Sequence, residues 1–270
     1  MSVFVIADTH LSLSTENKSM EVFGGRWNDY INKLEKNWNG NVTDSDSVVI
    51  AGDISWGMNI DLCAEDFRFI NDRLNGEKYI LKGNHDYWWT TMAKMNKWLD
   101  QNGFDRIKII HNNAYLCENY IICGTRGWFI DEDGENGGNG ENGEGKEICG
   151  NEMFNQKILN REINRLDMSV QAAKKIKLEF ESGAKSAKND KDKEFQECEI
   201  IACIHYPPVY GGYVCPEIIE VLQREEIKRC YFGHIHNAGE NNKNKLKRIY
   251  GNIKFELISA DFLKFKPLRL

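Results

Sequence analysis

Short apolar runs rich in β-branched residues recur along the chain of 270 residues, and each ends at glycine or a polar side chain. Runs of this length that are apolar throughout are typical of strands buried on both faces. The runs occupy residues 3–7, 47–51, 78–82, 107–110, 120–123, 199–204, 228–232 and 255–259. The sequence therefore predicts a domain built around buried strands.

Helical patterns lie between several of these runs. Apolar residues recur at helical spacing over residues 27–38, 67–74 and 92–99, and over a longer amphipathic stretch at 152–180. Pro216 begins a further helix, because proline is tolerated in a first helical turn. Strands that alternate with helices predict an α/β layered fold. A chain of this length can bury such a core in one domain, 1–270.

Two low-complexity segments interrupt the pattern, at residues 131–147 and 181–198. The first contains seven acidic residues and one lysine, so it accounts for the whole formal charge of −6. Neither segment has apolar residues to bury, and we expect both to be surface loops inserted in the domain. The rest of the chain is neutral, which argues against non-specific nucleic-acid binding through a basic face.

The lengths of the apolar runs and the spacing of the cysteines predict the compartment in which the protein resides. No apolar run approaches the ~18 to 20 residues that a membrane span needs. The first run, residues 3–7, lacks the basic flank of a signal peptide. We therefore expect a soluble, cytoplasmic protein with no membrane partner. The eight cysteines form no CxxC pair, so we expect reduced, structural thiols.

Five of the six histidines follow predicted strands and stand beside other polar residues, whereas His111 is expected to be structural. Any one of these strings is also typical of an ordinary turn after a strand. Together they lie at the carboxyl ends of strands, where α/β folds place ligands, so they predict one shared metal site. The strings are Asp8-Thr9-His10, Gly52-Asp53, Gly83-Asn84-His85-Asp86, His205-Tyr206 and Gly233-His234-Ile235-His236.

The candidate ligands are carboxylates, imidazoles and one amide, with no thiolate. Such a set suits Mn, Fe or Zn and is too large for one tetrahedral ion. Two divalent ions about 3.5–4 Å apart would use all of these ligands and lower the pKa of bound water. The chemistry that fits best is attack of hydroxide on phosphorus. The set is Asp8, His10, Asp53, Asn84, His205, His234 and His236.

The order of the motifs resembles that of the calcineurin-like metallophosphoesterases: Asp-x-His, Gly-Asp, Gly-Asn-His-Asp, a lone histidine and Gly-His-x-His. The resemblance extends from Asp8 to His236. Further strings, including those at residues 53–56 and 124–128, are similar to a bacterial subgroup of predicted phosphohydrolases within that family. The resemblance implies a four-layer α/β/β/α sandwich, in which two mixed β-sheets are flanked by helices.

The resemblance also implies a role for each matching residue. One metal ion would be bound by Asp8, His10 and His236. The second would be bound by Asn84, His205 and His234, and Asp53 would bridge the two ions. His85 would bind no metal; it would protonate or stabilise the leaving oxygen, and Asp86 would orient a neighbouring group.

Residues near these motifs are candidates for binding the substrate. Arg126 is the predicted substrate-binding residue, because a guanidinium can bind two phosphate oxygens at once. A packing role beside Trp128 is the alternative for this arginine. Trp56, Trp88 and Trp89 follow ligand motifs directly. They would either line a pocket and stack on a base or belong to the core.

The preferred functional prediction is a dinuclear metallophosphoesterase. It would hydrolyse phosphate mono- or diesters of small molecules, nucleotides included, by in-line attack of a hydroxide that bridges the two metals. Two alternatives stay open. A nuclease subunit would need a basic stripe near the site, and a non-catalytic protein-binding scaffold would have lost some of the ligands. None of the seven ligands is lost here. Nothing in the sequence indicates an oligomeric state.

Overall fold

The computed structural model describes residues 1–15, 18–128, 148–186, 198–238 and 249–270, with residues 148–154 and 183–186 described by their backbone alone. The predicted loop at 131–147 lies outside these residues, and so do residues 187–197 of the second predicted loop.

The first sheet has five strands, four from the first part of the chain and one from the last. They are β1 (Val3–Ile6), β2 (Ser47–Ala51), β3 (Glu77–Leu81), β4 (Ile107–Ile109) and β13 (Leu268–Arg269). The order across the sheet is β13-β1-β2-β3-β4. The strands β1 to β4 are parallel, and β13 pairs antiparallel with β1.

The second sheet has six strands. They are β5 (Tyr115–Cys117), β6 (Tyr120–Thr125), β7 (Glu199–Ile204), β10 (Arg229–Phe232), β11 (Ile249–Tyr250) and β12 (Ile253–Leu257). The order is β11-β12-β10-β7-β6-β5, with the four inner strands parallel and both edge strands antiparallel. A separate hairpin contains β8 (Val209–Tyr210) and β9 (Tyr213–Val214).

Helices cover the outer face of each sheet. Apolar residues of α1 (Tyr30–Asn39), α2 (Ala64–Arg68) and α3 (Met92–Asn102) pack on the first sheet, while α4 (Ile148–Ser186) and α5 (Pro216–Arg224) pack on the second. The α2 helix continues as a π-helical turn at Phe69–Arg73, and 3-10 turns occupy Met20–Phe23, Gly25–Trp27 and Ile60–Cys63.

Apart from the apolar residues under the helices, a separate apolar cluster lies between the two sheets and joins their inner faces. It includes Val5 and Val49 from the first sheet and Ile201 and Tyr231 from the second. The predicted four-layer α/β/β/α sandwich of two mixed sheets is therefore confirmed. No helix in the described ranges is long and apolar enough to cross a bilayer. The seven described cysteines are free and buried.

The structure differs from the sequence prediction in its shortest and longest elements. The two- and three-residue strands β5, β8, β9, β11 and β13 were not predicted, because such short strands carry no readable periodicity. The α4 helix begins before residue 152 and continues to Ser186, so the first six residues of the predicted loop 181–198 are helical. No proline interrupts those residues, and the backbone hydrogen bonding of the helix can therefore continue.

The two sheets meet at the carboxyl end of β1. Ala7 forms a parallel bridge with Ser259, which follows β12. The N–H of Ala7 donates to the Ile258 carbonyl and the N–H of Ala260 donates to the Ala7 carbonyl, each at 2.9 Å. Strand ends from both sheets therefore open on one shared edge, and the predicted ligand motifs follow those strands.

Candidate metal centre

The chain turns sharply at the strand ends that carry the motifs. Asp8, His10, Asp53 and His234 all have positive φ, between 44° and 69°. Residues other than glycine rarely adopt this left-handed conformation, and such strained positions cluster at functional sites. The turns aim side chains from both sheets into one space.

Two motif glycines are required by close approach. A Cβ atom on Gly233 would lie 2.6 Å from Oδ2 of Asp8, and one on Gly83 would overlap Oδ1 of Asp53. The backbone N–H of His234, next to Gly233, donates to both carboxylate oxygens of Asp8, at 3.0 and 2.9 Å. The glycines thus let the backbone of one strand end reach the carboxylate of another.

One group of candidate ligands contains Asp8, His10 and His236. Ligand atoms of all three lie within 4.8 Å of one another. The Nε2 atoms of His10 and His236 are 3.0 Å apart. The other ring nitrogen of His10, Nδ1, is buried and has no hydrogen-bond partner among the described residues. This is the trio that sequence reasoning assigned to the first metal.

A second group contains Asp8, Asp53 and His205, again with ligand atoms within 4.8 Å of one another. Asn84 joins it, because its Oδ1 atom is 2.6 Å from Nε2 of His205 and 3.0 Å from Nδ1 of His234. All seven predicted ligands therefore lie together. Asp8 belongs to both groups, while the Asn84 contacts connect His234 to the second.

The carboxylate of Asp53 lies between the two groups. Its Oδ2 atom is 3.6 Å from Nε2 of His10 and 3.5 Å from Nε2 of His205. Its Oδ1 atom accepts a hydrogen bond from the backbone N–H of His85 at 2.8 Å. One oxygen is thus held by the backbone while the other faces histidines of both groups.

The environment of His205 fits a cation. Its Nδ1 atom is 3.0 Å from the Ala51 carbonyl. Since a carbonyl only accepts, Nδ1 carries the proton and Nε2 presents a lone pair. That lone pair faces two further acceptors, Oδ1 of Asn84 and Oδ2 of Asp53. Burial lowers the pKa of His205 to about 3, so a proton does not bridge these atoms at neutral pH. A divalent ion would satisfy all three.

The pKa shifts of the other ionisable groups at the site also favour a bound cation. Burial lowers the pKa of His10 well below its usual value and that of His234 to about 2, so both rings are neutral and able to ligate. Burial also raises the pKa of Asp8 to about 8, against the lowering effect of His236. Of the site histidines, only His236 has a raised pKa and can offset the charge of the buried carboxylates, and bound cations would supply further positive charge.

Asp86 is buried and its carboxylate contacts backbone rather than the open site. It accepts hydrogen bonds from the N–H groups of Gly83 at 2.7 Å, Ile54 at 2.9 Å and Asp53 at 3.0 Å. The indole N–H of Trp88 also donates to it, at 3.0 Å. Burial, followed by the nearby Asp53 charge, raises the pKa of Asp86 to about 7. This carboxylate ties the loop after β2 to the loop after β3.

His85 lies beside the ligand groups without belonging to either. Its ring is half-buried, with its centre 5.8 Å from that of His10 and 4.7 Å from that of Trp56. Burial, opposed by the Asp53 charge, lowers the pKa of His85. The ring therefore lies at the edge of the site, against His10 and Trp56.

The tryptophans support the site from different sides. Trp56 stacks on His10, with ring centres 5.0 Å apart and planes 20° apart. Trp27, which the sequence placed only in a helical pattern, contacts the His236 ring edge-on at 5.5 Å. Trp88 is buried against Phe67 in the apolar core between the first sheet and its helices. Trp88 therefore belongs to the core, and Trp56 and Trp89 are partly buried against the same core. Stacking of a tryptophan on a base stays a prediction.

Arg126 is anchored by its neighbours. Its guanidinium lies over the Trp128 ring at 5.2 Å and 3.4 Å from Oε1 of Glu162. Its carbonyl accepts from the N–H of Tyr206, the residue after His205, at 2.8 Å. The packing role beside Trp128 is therefore present, and the backbone of Arg126 pairs with the segment that carries His205.

Asp261 is a site residue that sequence reasoning missed. Its buried carboxylate is 3.1 Å from Nδ1 of His236 and accepts from the N–H of Asn237 at 2.9 Å. Burial has the largest single effect and lowers the pKa of His236, but the hydrogen bond to Asp261 and the charges of Asp8, Asp261 and Asp53 together raise it. A carboxylate that holds Nδ1 leaves Nε2 free to ligate. The available signal was an aspartate soon after the predicted strand at 255–259.

Replacing Asp261 with asparagine should weaken Mn²⁺ binding about 10- to 100-fold, the usual effect of losing a partner that orients a metal-binding histidine. The amide keeps the size of the carboxylate but loses the charge that fixes the His236 ring. Calorimetric titration of the metal-free protein with Mn²⁺ measures the change. The exposed Asp100→Asn on α3 is the control. Equal affinities in Asp261→Asn and Asp100→Asn would contradict the assignment.

Comparison with known proteins tests the resemblance. Among curated proteins, the uncharacterized protein MJ1445 of Methanocaldococcus jannaschii is 29% identical over 110 residues, which span 41% of this chain and only 58% of that relative. A solved protein of unknown function from Aquifex aeolicus, AQ665, has 14% identity and a TM-score of 0.48, with 99% of this chain and 95% of that chain covered. For the solved protein TT1561 of Thermus thermophilus the identity is 12% and the TM-score 0.47, with 99% and 97% covered.

The family match agrees with the motif order and with the site geometry. The family described as calcineurin-like phosphoesterase matches residues 1–238, a span that contains all seven candidate ligands. Within that span the two Asp/His groups converge at the strand ends. Similarity to a bacterial subgroup stays a prediction. On this match, the chain belongs to the calcineurin-like phosphoesterase family.

Proposed function

We propose that the chain is a dinuclear metallophosphoesterase of the cytoplasm that hydrolyses phosphate mono- or diesters of small molecules, nucleotides included, by in-line attack of hydroxide on phosphorus. The supporting observation is that two ligand groups share Asp8, with Oδ2 of Asp53 between them. The oxygen and nitrogen donors suit Mn, Fe or Zn. The free thiols of the described cysteines agree with a reducing compartment.

In this mechanism some residues would bind the metal ions, others would orient the binding residues, and one would transfer a proton. A pair of divalent cations would supply hydroxide at neutral pH and stabilise charge on the phosphoryl oxygens. Asp86 keeps the Asp53 loop in place through backbone N–H groups. His85, beside the ligand groups and half-exposed, would give a proton to the leaving oxygen. Arg126 would contact the substrate at the side of His205.

Metal dependence tests the proposal directly. After removal of metal with a chelator, the protein should hydrolyse neither p-nitrophenyl phosphate nor bis-p-nitrophenyl phosphate. Reloading with Mn²⁺, Fe²⁺ or Zn²⁺ should restore turnover of at least one of them, because activation of water requires the cations. Release of p-nitrophenol measures both reactions.

The same panel separates the alternatives. No turnover with any of the three metals would favour the non-catalytic scaffold. Cleavage of a single-stranded oligonucleotide in preference to both aryl esters would favour the nuclease subunit. In the preferred case a small ester is hydrolysed at least as well as the oligonucleotide.

A further inference from the structure

A small open cavity lies beside the candidate metal centre. It is formed by the carboxyl ends of β3, β4 and β6 and by one face of α4. Its lining includes the basic side chains of Lys82, Arg126 and Arg165, the ring of His111 and a single carboxylate, that of Glu162.

Glu162 fixes the two arginines without neutralising the cavity. Its Oε1 atom is 2.6 Å from Nη1 of Arg165 and 3.4 Å from Nη2 of Arg126. Its Oε2 atom accepts from the hydroxyl of Thr125 at 2.5 Å. Both oxygens of the buried carboxylate are thus engaged, and the cavity lining contains three basic side chains and one acidic one. The excess positive charge favours an anionic ligand.

The arginines keep donors free for such a ligand. A guanidinium has five N–H donors, and the contacts with Glu162 use one nitrogen of each arginine. The Nε atom of Arg126 is buried and has no hydrogen-bond partner among the described residues. Planar guanidinium groups match the oxygens of phosphate more closely than a single ammonium does. The ligand that fits best is a phosphate group.

The cavity lining and the candidate metal ligands lie on the same or hydrogen-bonded backbone segments. Lys82 precedes the ligand Asn84 by two residues at the end of β3. The carbonyl of Thr125 accepts from the N–H of His205 at 3.3 Å. Strand ends that carry ligands of the second group therefore also carry the cavity lining.

We propose that this cavity is a phosphate-binding subsite and that the substrate carries a second phosphate group besides the one that is hydrolysed. The statement about the substrate rests on the proposed phosphoesterase function, whereas the statement about phosphate binding does not. Free inorganic phosphate is the other source of the same chemistry, and the two measurements below distinguish it from the substrate.

The first measurement uses the full chain after metal removal, so that no metal ion can bind the phosphate. Titration with inorganic phosphate, followed by NMR of the arginine side chains, should show saturable binding. Arg165→Gln and Lys82→Gln should each weaken it about 10-fold or more, as expected for a charge-assisted hydrogen bond. Arg161→Gln, on an exposed position of the same helix, should leave the affinity unchanged. No binding, or equal affinity in all variants, would overturn the subsite.

The second measurement compares two substrates on the metal-loaded protein. Adenosine 3′,5′-bisphosphate and 5′-AMP differ by one phosphate group. In the unaltered protein kcat/KM should be higher for the bisphosphate than for 5′-AMP. The ratio of the bisphosphate value to the 5′-AMP value should fall about 10-fold in Arg165→Gln but not in Arg161→Gln. An unchanged ratio with weakened phosphate binding would overturn the statement about the substrate and assign the cavity to free phosphate. Weakened phosphate binding without hydrolysis of any ester would overturn the proposed phosphoesterase function and leave the subsite standing.

Discussion

Replacing Asp53 with asparagine should remove most of the bound metal and lower kcat/KM by about 10³-fold or more, because a catalytic metal contributes several kcal/mol to the transition state. The amide has the shape of the carboxylate and still accepts the His85 N–H through Oδ1. It lacks the negative charge that lies between His10 and His205. The loss should therefore be local, with the fold intact.

Metal content and activity are measured together for this variant. Elemental analysis after loading with Mn²⁺ and gel filtration gives the metal content, and aryl phosphate hydrolysis gives kcat/KM. The exposed Asp100→Asn makes the same chemical change away from the site and should match the unaltered protein in both measurements. Full metal content in Asp53→Asn would show that this carboxylate is not a ligand.

Replacing His85 with alanine should lower kcat by about 10²- to 10⁴-fold, the usual contribution of general acid catalysis, with metal content preserved. The ring lies outside both ligand groups. The hydrogen bond from residue 85 to Asp53 comes from the backbone N–H, which alanine retains. The substitution should therefore remove a proton donor without disturbing the metals.

The leaving group provides an internal control for the His85 variant. An alkyl phosphate has a poor leaving group that needs the proton, whereas p-nitrophenolate departs without it. The loss in His85→Ala should thus be much larger for the alkyl ester than for the aryl ester. Equal losses on both esters would contradict an acid role, and metal loss equal to that of Asp53→Asn would make His85 a ligand.

The long inner strands could be predicted because burial on both faces leaves a continuous apolar run. The bounds of β2 (Ser47–Ala51) and β7 (Glu199–Ile204) coincide with the predicted runs. The edge strand β11 could not be predicted. It has two residues, and Ile249 is 64% exposed, so backbone pairing rather than burial holds it in place.

The clustering of the candidate ligands could be predicted because each follows a strand and stands among other polar residues. The cavity beside them could not be predicted, since Glu162 and Arg165 lie in the middle of an amphipathic helix. Charged residues in such a pattern are typical of a solvated face. Glu162 is nevertheless buried, because α4 packs on β6 and brings it against Thr125. That contact between distant segments has no signature in a single sequence.

The meeting of the two sheets at Ala7 and Ser259 has a consequence for biosynthesis. Asp8 and Asp53 follow strands of the first sheet, whereas His205 and His236 follow strands of the second. A nascent polypeptide can complete neither ligand group until the later half has emerged and docked. Contacts so remote in sequence form late. Half-made chains would thus lack both ligand groups, and the candidate metal centre would form only at the final stage of assembly.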